Sequence, residues 1–119
     1  METLTLANAI NEKIATLKKM RAELKDRSVN KANSIAVYER ELAKIILKLR
    51  NGEKLTFEGQ EVESPPVTII EKIARGICWN ERLEMETADA LYRSLITNID
   101  CVQAELNGLQ SINRYLSEM

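Results

Sequence analysis

An arginine, a tryptophan and a second arginine recur in this chain at helical spacing, and their side chains could bind a ligand. Arg75, Trp79 and Arg82 stand at i, i+4 and i+7, so a helix through them presents an indole between two guanidinium groups. Guanidinium forks bind phosphate, and an indole face stacks on a nucleobase. The pattern therefore indicates a site for an anionic nucleotide or another anionic aromatic ligand.

The same three residues also have a structural interpretation. Trp79 could anchor a hairpin or a subunit interface while both arginines form ion pairs. The candidate partners of the arginines are Glu71, Glu86 and Asp89. Arg114, near the C-terminus, could complete a ligand pocket only if another chain supplied it, because a thin helical chain cannot enclose a cavity alone. Both interpretations stay open at the level of sequence.

The amino-acid composition argues against enzymatic chemistry. The 119 residues contain no histidine, which removes the commonest general base and the commonest transition-metal ligand. Two cysteines, Cys78 and Cys101, cannot close a four-ligand zinc site without carboxylates. We therefore predict a protein that is not an enzyme and that holds no metal and no cofactor.

The cysteines and the hydropathy of the chain indicate a cytoplasmic protein. Cys78 and Cys101 fall on predicted helix, where we expect both to be small buried hydrophobes in a reducing compartment. No apolar run reaches the roughly 18 residues that a membrane span requires. The sequence Met1-Glu2-Thr3-Leu4 lacks the basic and then apolar order of a signal peptide.

Charge is distributed unevenly along the chain. Residues 1–52 carry eleven Lys or Arg and six Asp or Glu, whereas residues 53–119 carry six and twelve. This asymmetry favours folding of the basic half onto the acidic half, or antiparallel assembly of two chains. It is also compatible with a nucleic-acid-binding end.

A positive region that begins on the first predicted helix and extends to Lys31 is the candidate for such an end. Its residues are Lys18, Lys19, Arg21, Lys25, Arg27 and Lys31. Acidic residues at positions 12, 23 and 26 interrupt the region, and the isoelectric point of about 5.6 is low for a nucleic-acid-binding protein. Nucleic-acid binding is accordingly the second alternative for function.

The first half of the chain predicts a helical hairpin. Over residues 5–27, apolar residues recur every three or four positions, which is typical of an amphipathic helix. The polar segment 28–34 predicts a turn, because short polar side chains compete for backbone hydrogen bonds. A second helix follows, whose stripe is Ile35, Tyr38, Leu42, Ile45 and Leu49. Gly52 then fits the left-handed position that ends many helices.

The segment 54–63 predicts a short β-hairpin that pairs Leu55 with Val62, or else an ordered connecting loop. Two prolines follow at positions 65 and 66. Thr68 and Glu71 then have the spacing of a capping box, in which each side chain satisfies a backbone donor at the start of a helix.

The third predicted helix carries an apolar stripe from Ile70 to Leu116 that is interrupted where Glu81 and Glu84 take its positions. Either this helix breaks near residues 80–88, or other chains cover its length. The predicted fold class is thus all-α: a helical hairpin plus a long third helix, broken or continuous, in a single domain over residues 1–119.

Two stretches carry a family resemblance. One is the run Leu4-Thr5-Leu6-Ala7-Asn8-Ala9-Ile10, which leads into a helix rich in Leu, Lys and Glu, and the other is the closing segment 105–116. Both resemble small coiled-coil proteins of bacterial and phage genomes. Some such phage proteins inhibit bacterial immunity, either by binding an effector protein or by sequestering a nucleotide signal between subunits. The resemblance implies an inhibitor that acts by binding.

The sequence therefore predicts a non-enzymatic, homo-oligomeric helical module that binds another protein. The alternative is a small-ligand binder that holds an anionic nucleotide between subunits at Arg75, Trp79, Arg82 and Arg114.

Overall fold

A computed structural model of the chain describes residues 3–118 and shows three helices and one β-hairpin. The elements are α1 (Thr3–Arg50), β1 (Leu55–Phe57), β2 (Gln60–Val62), α2 (Val67–Ile77) and α3 (Trp79–Glu118). The all-α class with a short β-hairpin is thereby confirmed. The chain divides into two compact units. Among the described residues, unit 1 contains those up to Val29 and from Ala90 onward, and unit 2 is Asn30–Asp89.

Unit 1 is an antiparallel pair of helical segments, one from α1 and one from α3. Lys13 forms an ion pair with Glu105, and Arg27 Nη1 donates to the carbonyl oxygen of Leu91 at 2.7 Å. The two segments run in opposite directions, because the later α1 residue, Arg27, contacts the earlier α3 residue, Leu91. The buried side chains of this unit are Leu6, Leu17, Leu95 and Leu106.

The least exposed positions of unit 1 recur at alternating spacings of three and four residues, and we call each such stripe a seam. On α1 the seam consists of Leu6, Ile10, Lys13, Leu17, Met20, Leu24 and Arg27. On α3 it consists of Tyr92, Leu95, Ile99, Val102, Leu106 and Leu109. This spacing is that of helices packed side by side at a shallow angle. Two cations therefore occupy seam positions, and each of them has a partner on α3.

Unit 2 packs the β-hairpin, α2 and the start of α3 with the second part of α1. Its buried side chains are Tyr38, Leu49, Ile70, Ala74, Cys78 and Ala88. Lys31 forms an ion pair with Asp89 at 3.1 Å. The stripe predicted for a separate second helix is here the continuation of α1, with Tyr38 and Leu49 buried.

The turn predicted at residues 28–34 is wrong, because α1 is helical throughout this segment. Ser34 Oγ donates to the carbonyl oxygen of Lys31 at 2.8 Å, so its hydroxyl is satisfied within the helix. Arg27 donates a hydrogen bond to the Leu91 carbonyl within unit 1, and Lys31 forms an ion pair with Asp89 within unit 2. These partners lie far along the sequence, so the local preference of short polar residues for a turn does not decide the structure here.

The predicted end of α1 at Gly52 is confirmed. The backbone N–H of Gly52 donates to the carbonyl oxygen of Leu49 at 3.3 Å. The backbone N–H of Glu53 donates to the carbonyl oxygen of Lys48 at 3.0 Å. This pair of hydrogen bonds is the Schellman motif, which requires a left-handed residue after the helix. Gly52 supplies that residue, with φ of 79°.

The β-hairpin has the register predicted for it, with Leu55 opposite Val62. Glu58 and Gly59 form its two-residue loop with φ values of 51° and 77°, as a type I′ turn requires. Phe57 packs on α2 at Gly76, where an added Cβ would lie only 3.0 Å from the Phe57 Cζ. This contact gives the hairpin the support that a two-stranded sheet needs in water.

The capping box predicted at Thr68 and Glu71 is wrong. Pro66 occupies the N-cap position of α2 with ψ of 140°, and no side chain caps this helix. The extended proline places Thr68 inside the first turn instead of before it. Glu71 accepts a hydrogen bond from Arg75 at 2.6 Å.

Of the two alternatives for the third helix, a break is present, but it lies earlier than residues 80–88, at Cys78 between α2 and α3. From Trp79 onward α3 is continuous. Glu81 is half-buried on the seam, as expected, but Glu84 is exposed and Met85 takes the next seam position. A shift of one residue is enough to turn a helical side chain away from the partner helix.

Two glycine substitutions should change stability in opposite directions. Gly52→Ala should destabilise the protein by about 1 kcal/mol, because a side chain is strained at positive φ. Gly108→Ala should stabilise it by about 0.5–1 kcal/mol, because Gly108 is helical and a Cβ there meets open space. Urea unfolding followed by circular dichroism measures both effects. The same sign for both variants would contradict this assignment of the two glycines.

Candidate functional site

Arg75, Trp79 and Arg82 line one open groove in unit 2, with a volume of about 770 Å³. The other residues that line it are Thr68, Glu71, Lys72, Gly76, Leu83 and Glu86. This volume lies within the range of small-molecule sites in proteins. We refer to these nine residues as the Trp79 groove.

The groove spans the junction of α2 and α3, and the backbone there keeps helical spacing in spite of the break. The backbone N–H of Cys78 donates to the carbonyl oxygen of Ala74, and the backbone N–H of Arg82 donates to the carbonyl oxygen of Cys78, each at 3.0 Å. These are ordinary helical bonds to the fourth preceding residue. Ala74 and Cys78 are buried, so Arg75, Trp79 and Arg82 remain together on an accessible side.

The apolar part of the groove is exposed. Trp79 is 58% exposed, and Leu83, one turn further along α3, is 55% exposed. Phe57, rather than Trp79, packs the β-hairpin against α2. The indole thus does not serve as the hairpin anchor that the structural interpretation considered.

The charged groups of the groove are partly neutralised. Arg75 Nη2 is 2.6 Å from Glu71 Oε1, which is one of the pairs that the structural interpretation predicts. Among the described residues, Arg82 and Lys72 form no ion pair, and Asp89 is paired with Lys31. The groove therefore offers three cations and two carboxylates, Glu71 and Glu86. One of the carboxylates, Glu71, is already paired with Arg75.

Arg114 is not among the residues that line this groove. It is exposed near the end of α3, in unit 1. Within this chain the structure therefore brings together three of the four predicted ligand-binding residues. Lys72 and Leu83 were missed by the sequence analysis, although Lys72 stands three residues before Arg75 and Leu83 four residues after Trp79.

The basic region predicted on α1 contains both paired and unpaired cations. Arg27 lies 2.5 Å from Glu23 and Lys31 pairs with Asp89. The exposed side chains of Lys18, Lys19, Arg21 and Lys25 form no ion pair within residues 3–118. They lie on a charged helix face, and none of the grooves found among the described residues is lined by them.

Other kinds of site find no support in the described chain. Within residues 3–118 no group of three or more His, Cys, Asp or Glu side chains is placed to hold a metal ion. None of the described helices is both long and apolar enough to cross a membrane.

Comparison with protein-family models, with curated proteins and with solved structures gives no significant match to this chain.

The two cysteines differ in environment, so the expectation that both are buried is wrong for Cys101. Cys78 is buried and Cys101 is exposed, because Cys101 stands between the seam positions Ile99 and Val102. Burial raises the pKa of the Cys78 thiol, and the nearby charges of Glu81 and Glu41 raise it further. A raised pKa leaves less of the reactive thiolate at Cys78.

Alkylation should therefore distinguish the two thiols. With iodoacetamide at mildly alkaline pH, we expect Cys101 to react at least about tenfold faster than Cys78, because Cys78 is buried and its pKa is raised. Peptide mass spectrometry over time measures both rates in one sample. Concentrated urea should remove the difference, and equal rates in the folded protein would contradict the burial of Cys78.

Proposed function

We propose that this protein is a non-enzymatic helical module that self-associates and acts by binding. One observation carries the self-association: the end of α3 presents an apolar face that no described part of the chain covers. Ile112 is 48% exposed, Tyr115 66% and Leu116 39%. All described residues from Gln110 onward are exposed. Contiguous apolar surface of this kind marks interaction sites.

A second copy of the chain is the partner that fits this face. The seam positions of α3 are buried or half-buried as far as Leu109, and Leu116 lies on the same stripe one heptad further along. Arg114 and Glu118 carry opposite charges beside it. An antiparallel pair of α3 ends would set the arginine of each copy near the glutamate of the other, and a two-fold interface repeats every such contact.

Action by binding, as in the phage inhibitors found among small coiled-coil proteins of the kind that the sequence resembles, is part of this proposal. The absence of histidine supports it, since the commonest general base is not present. The exposed Trp79 groove supports it as well, because an open cleft with an aromatic side chain and cations is suited to holding a partner or ligand. We place the protein in the cytoplasm, where its two free thiols would stay reduced.

Charge introduced at the end of α3 should separate the copies. The double variant Ile112→Glu with Leu116→Glu should shift the protein from oligomer to monomer, because it sets carboxylates against each other in an apolar interface. Sedimentation velocity and native mass spectrometry measure the shift, and circular dichroism confirms that the variant remains helical.

Leu47→Glu is the matched control, since Leu47 is an exposed apolar residue on α1 in unit 2. It should leave the oligomer intact. A monomeric wild-type protein, or equal dissociation of the control, would contradict self-association through the end of α3.

A further inference from the structure

We infer that the Trp79 groove binds an anionic nucleotide, whose base stacks on the indole of Trp79 and whose phosphate is bound by Arg82 together with Lys72 or Arg75. This inference rests on the proposed binding function, and it is independent of self-association. The groove forms within a single chain, so one copy supplies all the residues that the inference uses.

The position of Trp79 makes it a stacking surface. More than half of its side chain is exposed, and Leu83 extends the apolar surface by one helical turn. The buried residues Ala74 and Cys78 hold the backbone of this segment against the rest of unit 2. A planar aromatic ligand therefore meets a prepositioned indole face, and every nucleobase can stack on such a face.

The cations are arranged to favour a compact anion. Arg82 and Lys72 form no ion pair among the described residues, so both are available to a ligand. Arg75 is oriented by Glu71 through Nη2, which leaves its Nη1 and Nε donors for a second acceptor. Guanidinium groups bind phosphate through paired hydrogen bonds, and Lys72 adds a point charge.

The two carboxylates restrict what the groove can hold. Glu71 and Glu86 reduce the net charge of the lining residues to +1, which is too little to retain a bare anion strongly in water. They can accept hydrogen bonds from ribose hydroxyls or from the amino group of a base. A ligand must therefore supply both an aromatic ring and a phosphate, which favours a nucleotide over inorganic phosphate, a nucleoside or a long polyanion.

Fluorescence of the single tryptophan tests this inference directly, since Trp79 is the only indole in the chain. The probes are adenosine, guanosine, cytidine and uridine diphosphates, each titrated into the full-length protein. We expect saturable quenching by at least one of them. The corresponding nucleoside and inorganic phosphate, tested separately, should each bind at least about tenfold more weakly, because each makes only part of the contacts.

Substitutions locate the binding. Arg82→Ala and Lys72→Ala should each weaken nucleotide binding by about tenfold, as expected for loss of a charge-assisted contact. Lys25→Ala removes an exposed, unpaired cation of unit 1 and should change nothing. Trp79→Ala, measured by calorimetry because the fluorophore is gone, should abolish binding while circular dichroism shows an intact fold.

Three outcomes would overturn the inference: no saturable response to any of the four diphosphates, equal losses in Lys25→Ala and Arg82→Ala, or phosphate binding as tight as nucleotide binding. Sedimentation of the same samples separates this inference from the proposed self-association. A monomer that binds nucleotide refutes self-association alone, and an oligomer that ignores nucleotides refutes this inference alone.

Discussion

Packing of the apolar seams of α1 and α3, with a partner for each cation that interrupts the stripe of α1, is the constraint on which the structure depends. Lys13 and Arg27 occupy seam positions in unit 1, and Lys31 occupies the corresponding stripe in unit 2. A half-buried cation without a partner would destabilise the helix pair. Glu105, the Leu91 carbonyl and Asp89 supply the three partners. The opposite charges of the two halves of the sequence are thus used inside each unit, where basic α1 meets acidic α3.

Periodicity in the sequence predicts much of this fold, because alternating three- and four-residue spacing decides which side chains a helix buries. The stripe around Tyr38 and Leu49, the end of α1 at Gly52 and the hairpin register were predicted on local grounds. The continuity of α1 could not be predicted that way. Residues 28–34 favour a turn by their own chemistry, and the groups that keep Arg27 and Lys31 in a helix lie about sixty residues away in the chain.

The three residues of the candidate site in unit 2 could be predicted from the sequence because helical spacing holds across the break at Cys78. The hydrogen bonds on either side of Cys78 keep Arg75, Trp79 and Arg82 around one groove, so the spacing counted in the sequence survives in the structure. The partner of Arg75 was among the predicted carboxylates. What the sequence could not supply is which cations stay unpaired, since that depends on Asp89 being taken by Lys31 and not by Arg82.

Hydrogen exchange at the backbone amides of residues 28–34, measured by NMR on the native protein, reports whether α1 continues through this segment. If α1 is one continuous helix, these amides should be protected to the same degree as those of the helical turns on either side. Exchange at the rate of an unstructured chain, with protection on both sides of the segment, would show a turn there and would contradict a continuous α1.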